Sequence, residues 1–249
     1  MTAQMDRNIF VFWTGDNEMS PERAACLKTL ANSECTVTLV TPESLSQWVS
    51  DIAPLHPAYE FLSAVHRSDY LRPYFMHHFG GGYADIKETR ENWLPAFDAL
   101  ETTPDAFGIG YQEKSAKGVA NLHRHTVDGQ SYYLDEPTNI ISNYVRYRFF
   151  RAHWRSMIGM CAYIMRPKTE FTALWLKTVE QRLDILLPLL KQRPAVSPRQ
   201  AADTAVTGDD LPYPVPWSFL CADVIHPLVY RNRNRILQGL PTPSFKNYM

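Results

Sequence analysis

The sequence predicts an α/β domain with a mixed, mainly parallel sheet flanked by helices. Two observations carry that prediction. Apolar, β-branched runs alternate with capped helical segments over the first half of the chain, and the 249 residues suit one large domain that buries a sizeable core. Residues 9–13 (IFVFW) read as a buried strand that runs into the loop Thr14-Gly15-Asp16. Ser20-Pro21 is then a helix start, with an N-cap and proline at the first helical position, and the helix is expected to reach Ala31. Residues 36–41 (TVTLVT) form a second strand, and Pro42-Glu43 opens a helix expected to reach Ser50. Strand, helix, strand, helix is the order of a parallel sheet, in which ligands collect at the carboxyl ends of the strands. The loop after Trp13 is therefore a candidate ligand wall.

Residues 59–79 read as mainly helical, Gly80-Gly81-Gly82 stops that helix, and residues 83–87 (YADIK) resume as strand. Pro73 follows Arg72 directly and should kink or restart the helix, because its ring removes the N–H that would bond the Asp69 carbonyl. Residues 106–111 read as strand and residues 112–137 as a long loop or flap. Residues 158–165 form another buried strand, and residues 170–190 a helix expected to break at Pro188. Residues 194–217, with Asp209-Asp210 among them, read as irregular.

Composition excludes several classes. Hydrophobic residues make up 45% and charged residues 20% of the chain, the profile of a globular protein and not of a disordered or coiled-coil chain. No apolar run approaches the roughly 18 residues of a membrane span, and Asp6 interrupts the basic-then-apolar start of a signal peptide, so neither a spanning nor an exported form is expected. Cys26, Cys35, Cys161 and Cys221 form no CxxC pair; they read as reduced thiols, mostly core packing, which disfavours structural zinc. Charge is divided unevenly. Residues 1–139 carry 10 Lys and Arg against 19 Asp and Glu, whereas residues 140–249 carry 15 against 7. Either the second half faces something anionic or the two halves attract each other.

The densest chemistry lies in residues 66–87 (HRSDYLRPYFMHHFGGGYADIK). Asp69 and Arg72 stand three apart and share a helix face, presenting an acceptor carboxylate and a forked donor together, which suits a polyol; alone, such a pair is an ordinary ion pair. In an extended segment Tyr83, Asp85 and Lys87 project to one side, while the glycines let a ligand or another chain approach the backbone closely. Further on, Arg148, Arg151 and Arg155 form a stripe interleaved with Tyr147, Phe149, Phe150 and Trp154. That stripe reads as an acceptor-side or membrane-facing patch or as a solvated helix face; with no nucleic-acid module and a pI near 6.7, nucleic acid is not expected as a partner. Arg231, Arg233 and Arg235 form a similar run. His77-His78 and His123-Arg124-His125 lack a matching carboxylate spacing for a metal, and Asp135-Glu136 offers a base in the flap. Neither GxGxxG after the first strand nor GxSxG is present.

Ser68-Asp69-x-x-Arg72, an apolar stretch, Gly81-Gly82-Tyr83-Ala84-Asp85-Ile86-Lys87, and the opening Trp13-Thr14-Gly15 together resemble the DXD-type sugar transferases. These families include capsular-polysaccharide and lipopolysaccharide glycosyltransferases, yeast mannosyltransferases and clostridial glucosylating toxins. The resemblance covers residues 9–95 and is diffuse beyond. It implies one GT-A-type, Rossmann-like domain over residues 1–249, with a nucleotide-sugar-binding half at 9–105 and an acceptor-side half, with a C-terminal flap, at 106–249. It further implies retaining transfer from a nucleotide sugar, a UDP-sugar first, to a bacterial capsular or lipopolysaccharide acceptor on a lipid carrier at the inner face of the cytoplasmic membrane. Trp13, Thr14, Gly15, Gly82 and Tyr83 would then line the donor site, Trp13 stacking on the base. Asp69 and Arg72 would hold donor-sugar hydroxyls, and Asp85, the first acid of the motif, would sit beside the ribose, the sugar and any metal.

Lys87 departs from the family pattern, standing where the second acid ligates Mn²⁺ or Mg²⁺. An ammonium is no ligand for a hard cation, which puts the metal in doubt. Lys87 is expected to neutralise the leaving diphosphate instead, unless Glu88 or Glu91 takes the ligand role. The alternative is a catalytically silent nucleotide-sugar-binding protein that regulates or scaffolds polysaccharide assembly. On the transferase reading Asp85→Asn cuts turnover by orders of magnitude with little change in melting temperature.

Overall fold

The computed structural model describes residues 5–203 and 212–246; Asp209 and Asp210 lie outside them. In chain order the elements are β1 (Asn8–Phe12), α1 (Pro21–Thr29), β2 (Thr36–Val40), α2 (Pro42–Leu45), α3 (Ala64–His78), β3 (Gly81–Ala84), α4 (Leu94–Glu101), β4 (Gly108–Gln112), β5 (Thr126–Val127), β6 (Gln130–Tyr133), β7 (Glu136–Thr138), α5 (Ile140–Ala152), β8 (Ile158–Met165), α6 (Glu170–Gln192), α7 (Ala222–Arg231) and β9 (Ile236–Gln238).

Six strands form one sheet in the order β2-β1-β3-β8-β4-β9. β1 pairs in parallel with β2 (Ile9 opposite Val37) and with β3 (Phe10 opposite Tyr83). β8 alone runs against its neighbours, setting Tyr163 opposite Tyr83 and Ile164 opposite Ile109, and β9 returns parallel to β4. The mainly parallel α/β architecture is thus present and is compatible with a Rossmann-like fold. Alternation along β1 divides the core. Phe10 and Phe12 pack with α3, α6 and α7 on one face, while Ile9 and Val11 pack with α1 and α4 on the other.

Local chemistry explains the elements that hold the site. The Ser20 hydroxyl accepts the Arg23 N–H at 3.3 Å to start α1, and Ser63 caps α3. Gly80 and Gly81 take φ of 69° and 81°, where a side chain would be strained; a Cβ on Gly81 would also lie 2.8 Å from the Asn8 carbonyl oxygen. Other parts of the fold thus approach these glycines closely, Asn8 of β1 at Gly81 and Pro167 at Gly80.

Several elements depart from the sequence reading. α2 stops at Leu45, short of the expected Ser50, and the turn that follows seats Trp48 edge-on against Phe10, ring centroids 5.1 Å apart. α3 runs unbroken through Pro73, which is buried in the core, and α6 runs unbroken through Pro188. Packing on the α3 and α6 faces outweighs the lost backbone bonds. The expected flap at 112–137 contains a small antiparallel sheet, β5-β6-β7. β3 ends at Ala84, and the Lys87 N–H turns back to the Asp85 carbonyl (2.7 Å), so residues 85–87 form a tight turn rather than more strand.

Candidate functional site

Five of the predicted residues meet at the carboxyl end of β3. The carboxylate of Asp85 is the hub: Oδ1 accepts from the Tyr83 hydroxyl at 2.6 Å and from Arg72 at 3.2 Å, and Oδ2 accepts from the Lys87 ammonium at 2.6 Å. Arg72 also pairs with Asp69 at 3.2 Å, as their helical spacing requires, and lies over the Tyr83 ring, 4.7 Å from its centroid. Pro73 does not divert the arginine, since α3 is continuous and aims both Asp69 and Arg72 at the end of β3. The turn at 85–87 brings the ammonium of Lys87 back onto Asp85, a closer juxtaposition than an extended strand gives.

Electrostatics separates the two acids. Burial pushes the Asp69 carboxyl up to about 6, with Arg72 opposing and Asp85 adding to the rise. Burial also acts on Asp85, but Lys87 and Arg72 outweigh it and hold that carboxyl well below the usual range. Lys87 is desolvated, yet Asp85 more than compensates and keeps it charged. The cluster therefore holds a permanent anion between two cations, beside an acid that titrates close to neutrality.

The β1 side of the site is adjacent in the sheet. Trp13 extends β1 through its N–H to the Val40 carbonyl, and it packs in the same apolar cluster as Ala84 and Ile86, the residues flanking Asp85. Trp13 and Asp85 thus share one end of the sheet. The indole N–H is taken by the Asn17 carbonyl at 2.8 Å, which leaves the half-buried ring face as the surface on offer. Thr14 is buried and donates to the Ala64 carbonyl (2.6 Å), and Gly15 sits against the Ala64 methyl; both fasten the loop to the start of α3. Gly82 is buried within β3, its Cα facing Ile9 and Trp93, so it packs the sheet instead of lining an opening.

Sequence reasoning missed two of the site's neighbours. Cys221, at the start of α7, accepts from Arg72 at 3.1 Å and hydrogen-bonds Asp69; Cys161, on β8, accepts from Lys87 at 3.0 Å. Burial pushes the Cys161 thiol up to about 11 and that of Cys221 well above its ordinary value, so both are neutral groups that complete the shell. No local pattern marks them, because β8 and α7 reach the site only through the fold. The C-terminal segment also arrives here: the Ser244 N–H bonds the Glu88 carbonyl (2.9 Å), and Phe245 lies 5.2 Å from the Lys87 ammonium.

Divalent-metal ligation does not fit this donor set. Lys87 covers Oδ2 of Asp85, and Arg72 and Tyr83 cover Oδ1. Glu88 is engaged by Arg90 at 2.9 Å, and Glu91 is exposed. Among the described residues no group of three or more His, Cys, Asp or Glu converges as a metal site.

Other candidates have partners within the fold. His125 has the carboxylate its sequence neighbourhood lacked: Nδ1 lies 2.7 Å from Asp223, whose other oxygen accepts from Ser218 at 2.6 Å. Arg235 pairs with Glu170 and stacks on Phe107, and Arg233 lies over Tyr230. Asp135-Glu136 form the entry to β7 in the small sheet. Compared with protein-family models and with curated proteins, the chain finds no match.

Proposed function

We propose that the protein is a glycosyltransferase that moves a sugar from a nucleotide-sugar donor, a UDP-sugar first, to a saccharide acceptor of the capsular or lipopolysaccharide kind. The observation that carries the reading is the convergence of Asp69, Arg72, Tyr83, Asp85 and Lys87 beside Trp13, at the carboxyl ends of adjacent parallel strands. The strand order with β8 alone reversed is compatible with the GT-A arrangement that the motif order implies.

In this reading the base stacks on the half-buried face of Trp13 and the sugar hydroxyls bond Asp69 and Arg72. Lys87 supplies the positive charge at the leaving diphosphate. The bond from the anomeric carbon to the phosphate oxygen breaks, and its electron pair departs with the diphosphate. The acceptor hydroxyl oxygen bonds the anomeric carbon from the same face, and its proton passes to the leaving phosphate oxygen. Asp85 holds Lys87, Arg72 and Tyr83 in register.

A second reading, a catalytically silent nucleotide-sugar-binding protein, is favoured by one feature: both Asp85 oxygens are engaged by neighbouring side chains. Calorimetry against UDP-, GDP- and CMP-sugars, paired with a donor-hydrolysis assay, separates the two. The transferase reading expects binding with slow hydrolysis in water. Binding with no turnover favours the silent form, and absence of binding to every donor overturns both.

A further inference from the structure

α5 departs from the behaviour of an ordinary surface helix. It rests on the body through buried Asn143 and Phe150, whereas Ile141 is 77% exposed, Val145 62% and Ile140 53%, with Tyr144 and Phe149 also open to solvent. Exposed apolar side chains scattered singly need no explanation, but a row of them along one 13-residue helix does. The same surface is strongly basic. Residues 137–157, which hold α5 and the turn after it, contain no acid and four arginines. Arg148 and Arg151 are exposed on α5; they donate to the hydroxyls of Tyr144 and Tyr147 (3.1 and 2.9 Å), and neither forms an ion pair among the described residues. Beside them opens a cleft of about 620 Å³, lined by His123, Arg124, Tyr144, Tyr147, Arg148 and Arg151 without a single carboxylate.

Apolar side chains next to arginines and tyrosines, on a helix that the body leaves open, have the composition of an interfacial membrane helix. The acidic first half of the same chain does not neutralise this face: Arg193–Asp128 is the ion pair among the described residues that joins a second-half arginine to a first-half acid. We propose that α5 docks the protein on an anionic phospholipid bilayer. Ile140, Ile141, Val145 and Phe149 enter the headgroup boundary, and a lipid phosphate seats in the cleft between Arg124, Arg148 and Arg151. A bilayer, rather than a soluble anion, is the occupant that satisfies both the apolar row and the arginines. The inference concerns residues other than those of the Asp85 site, so sugar transfer and docking can fail independently.

Co-sedimentation of the full chain with vesicles of phosphatidylcholine alone, or of phosphatidylcholine with phosphatidylglycerol, tests the proposal. Binding is expected on the anionic vesicles only, weakening as salt is raised. Each arginine near an anionic surface contributes about a fivefold factor, so Arg148→Glu with Arg151→Glu should weaken binding at least about 25-fold. Ile141→Glu with Val145→Glu should weaken it at least about tenfold. Circular dichroism melting of both double variants checks that they fold, and donor calorimetry in vesicle-free buffer reads the Asp85 site separately. The proposal is overturned by absence of binding to anionic vesicles, by equal binding of folded variants and wild type, or by an α5 face that instead mediates self-association in sedimentation equilibrium.

Discussion

Asp85→Asn is the substitution for which the structure and the sequence disagree most. Viewed as a solvent-facing motif acid, Asp85 would be dispensable for folding. Its carboxylate is instead 19% exposed, 2.6 Å from a lysine that is itself 8% exposed. Asparagine is nearly isosteric and can still accept from Tyr83 and Arg72, but it removes the charge that balances Lys87. Arg72 retains Asp69 as a counter-ion. Removing one partner of a buried pair costs about 3–5 kcal/mol, and the surviving bonds place this case near 3. For a chain of this size that is a fall in melting temperature of about 6–12 °C. Circular dichroism melting of wild type, Asp85→Asn, Lys87→Met and the double variant measures it. The double variant should recover most of the loss, because no unpaired charge remains. A melting temperature for Asp85→Asn within 2 °C of wild type would refute the buried-hub argument, whatever happens to turnover.

Donor affinity should fall about fivefold between pH 6 and pH 5, because Asp69, raised to about 6, loses the charge that accepts sugar hydroxyls; calorimetry across pH should show this step and Asp69→Asn should abolish it. Turnover should persist in excess EDTA and gain little from Mn²⁺, since Lys87 takes the place of the second acid; abolition by the chelator and recovery with metal would sink that role. His125, raised by Asp223 despite its burial, contributes stability that is present below its ordinary value and lost as pH rises through its folded value. Wild type should therefore soften in thermal melts as pH rises above the ordinary histidine range, and Asp223→Asn, less stable throughout, should not show that slope.

Local periodicity and capping made the first half of the fold legible. The run at β1 and the Ser20-Pro21 start each act over a few residues, and each is present; α3 also ends ahead of the glycines, but Gly81 and Gly82 already belong to β3 instead of preceding it. The Asp69–Arg72 pair was legible for the same reason, as a helix-face spacing. Elements set by distant packing were not. Pro73 and Pro188 lie inside continuous helices because the core holds both faces in place, and α2 gives way early to the turn that seats Trp48 against Phe10. Within the site, Cys161 and Cys221 come from strands and helices far along the chain, and no spacing rule could have joined them to Lys87 and Arg72. The tight turn that folds Lys87 onto Asp85 was hidden because YADIK reads as strand by composition alone.

A crystal structure of the protein with a bound nucleoside diphosphate tests the proposed donor site most directly. The account predicts a base lying flat on the Trp13 indole and a phosphate oxygen within hydrogen-bonding distance of the Lys87 ammonium. A nucleotide bound elsewhere on the molecule, or a diphosphate held through a divalent ion on Asp85 with Lys87 turned away, would contradict it.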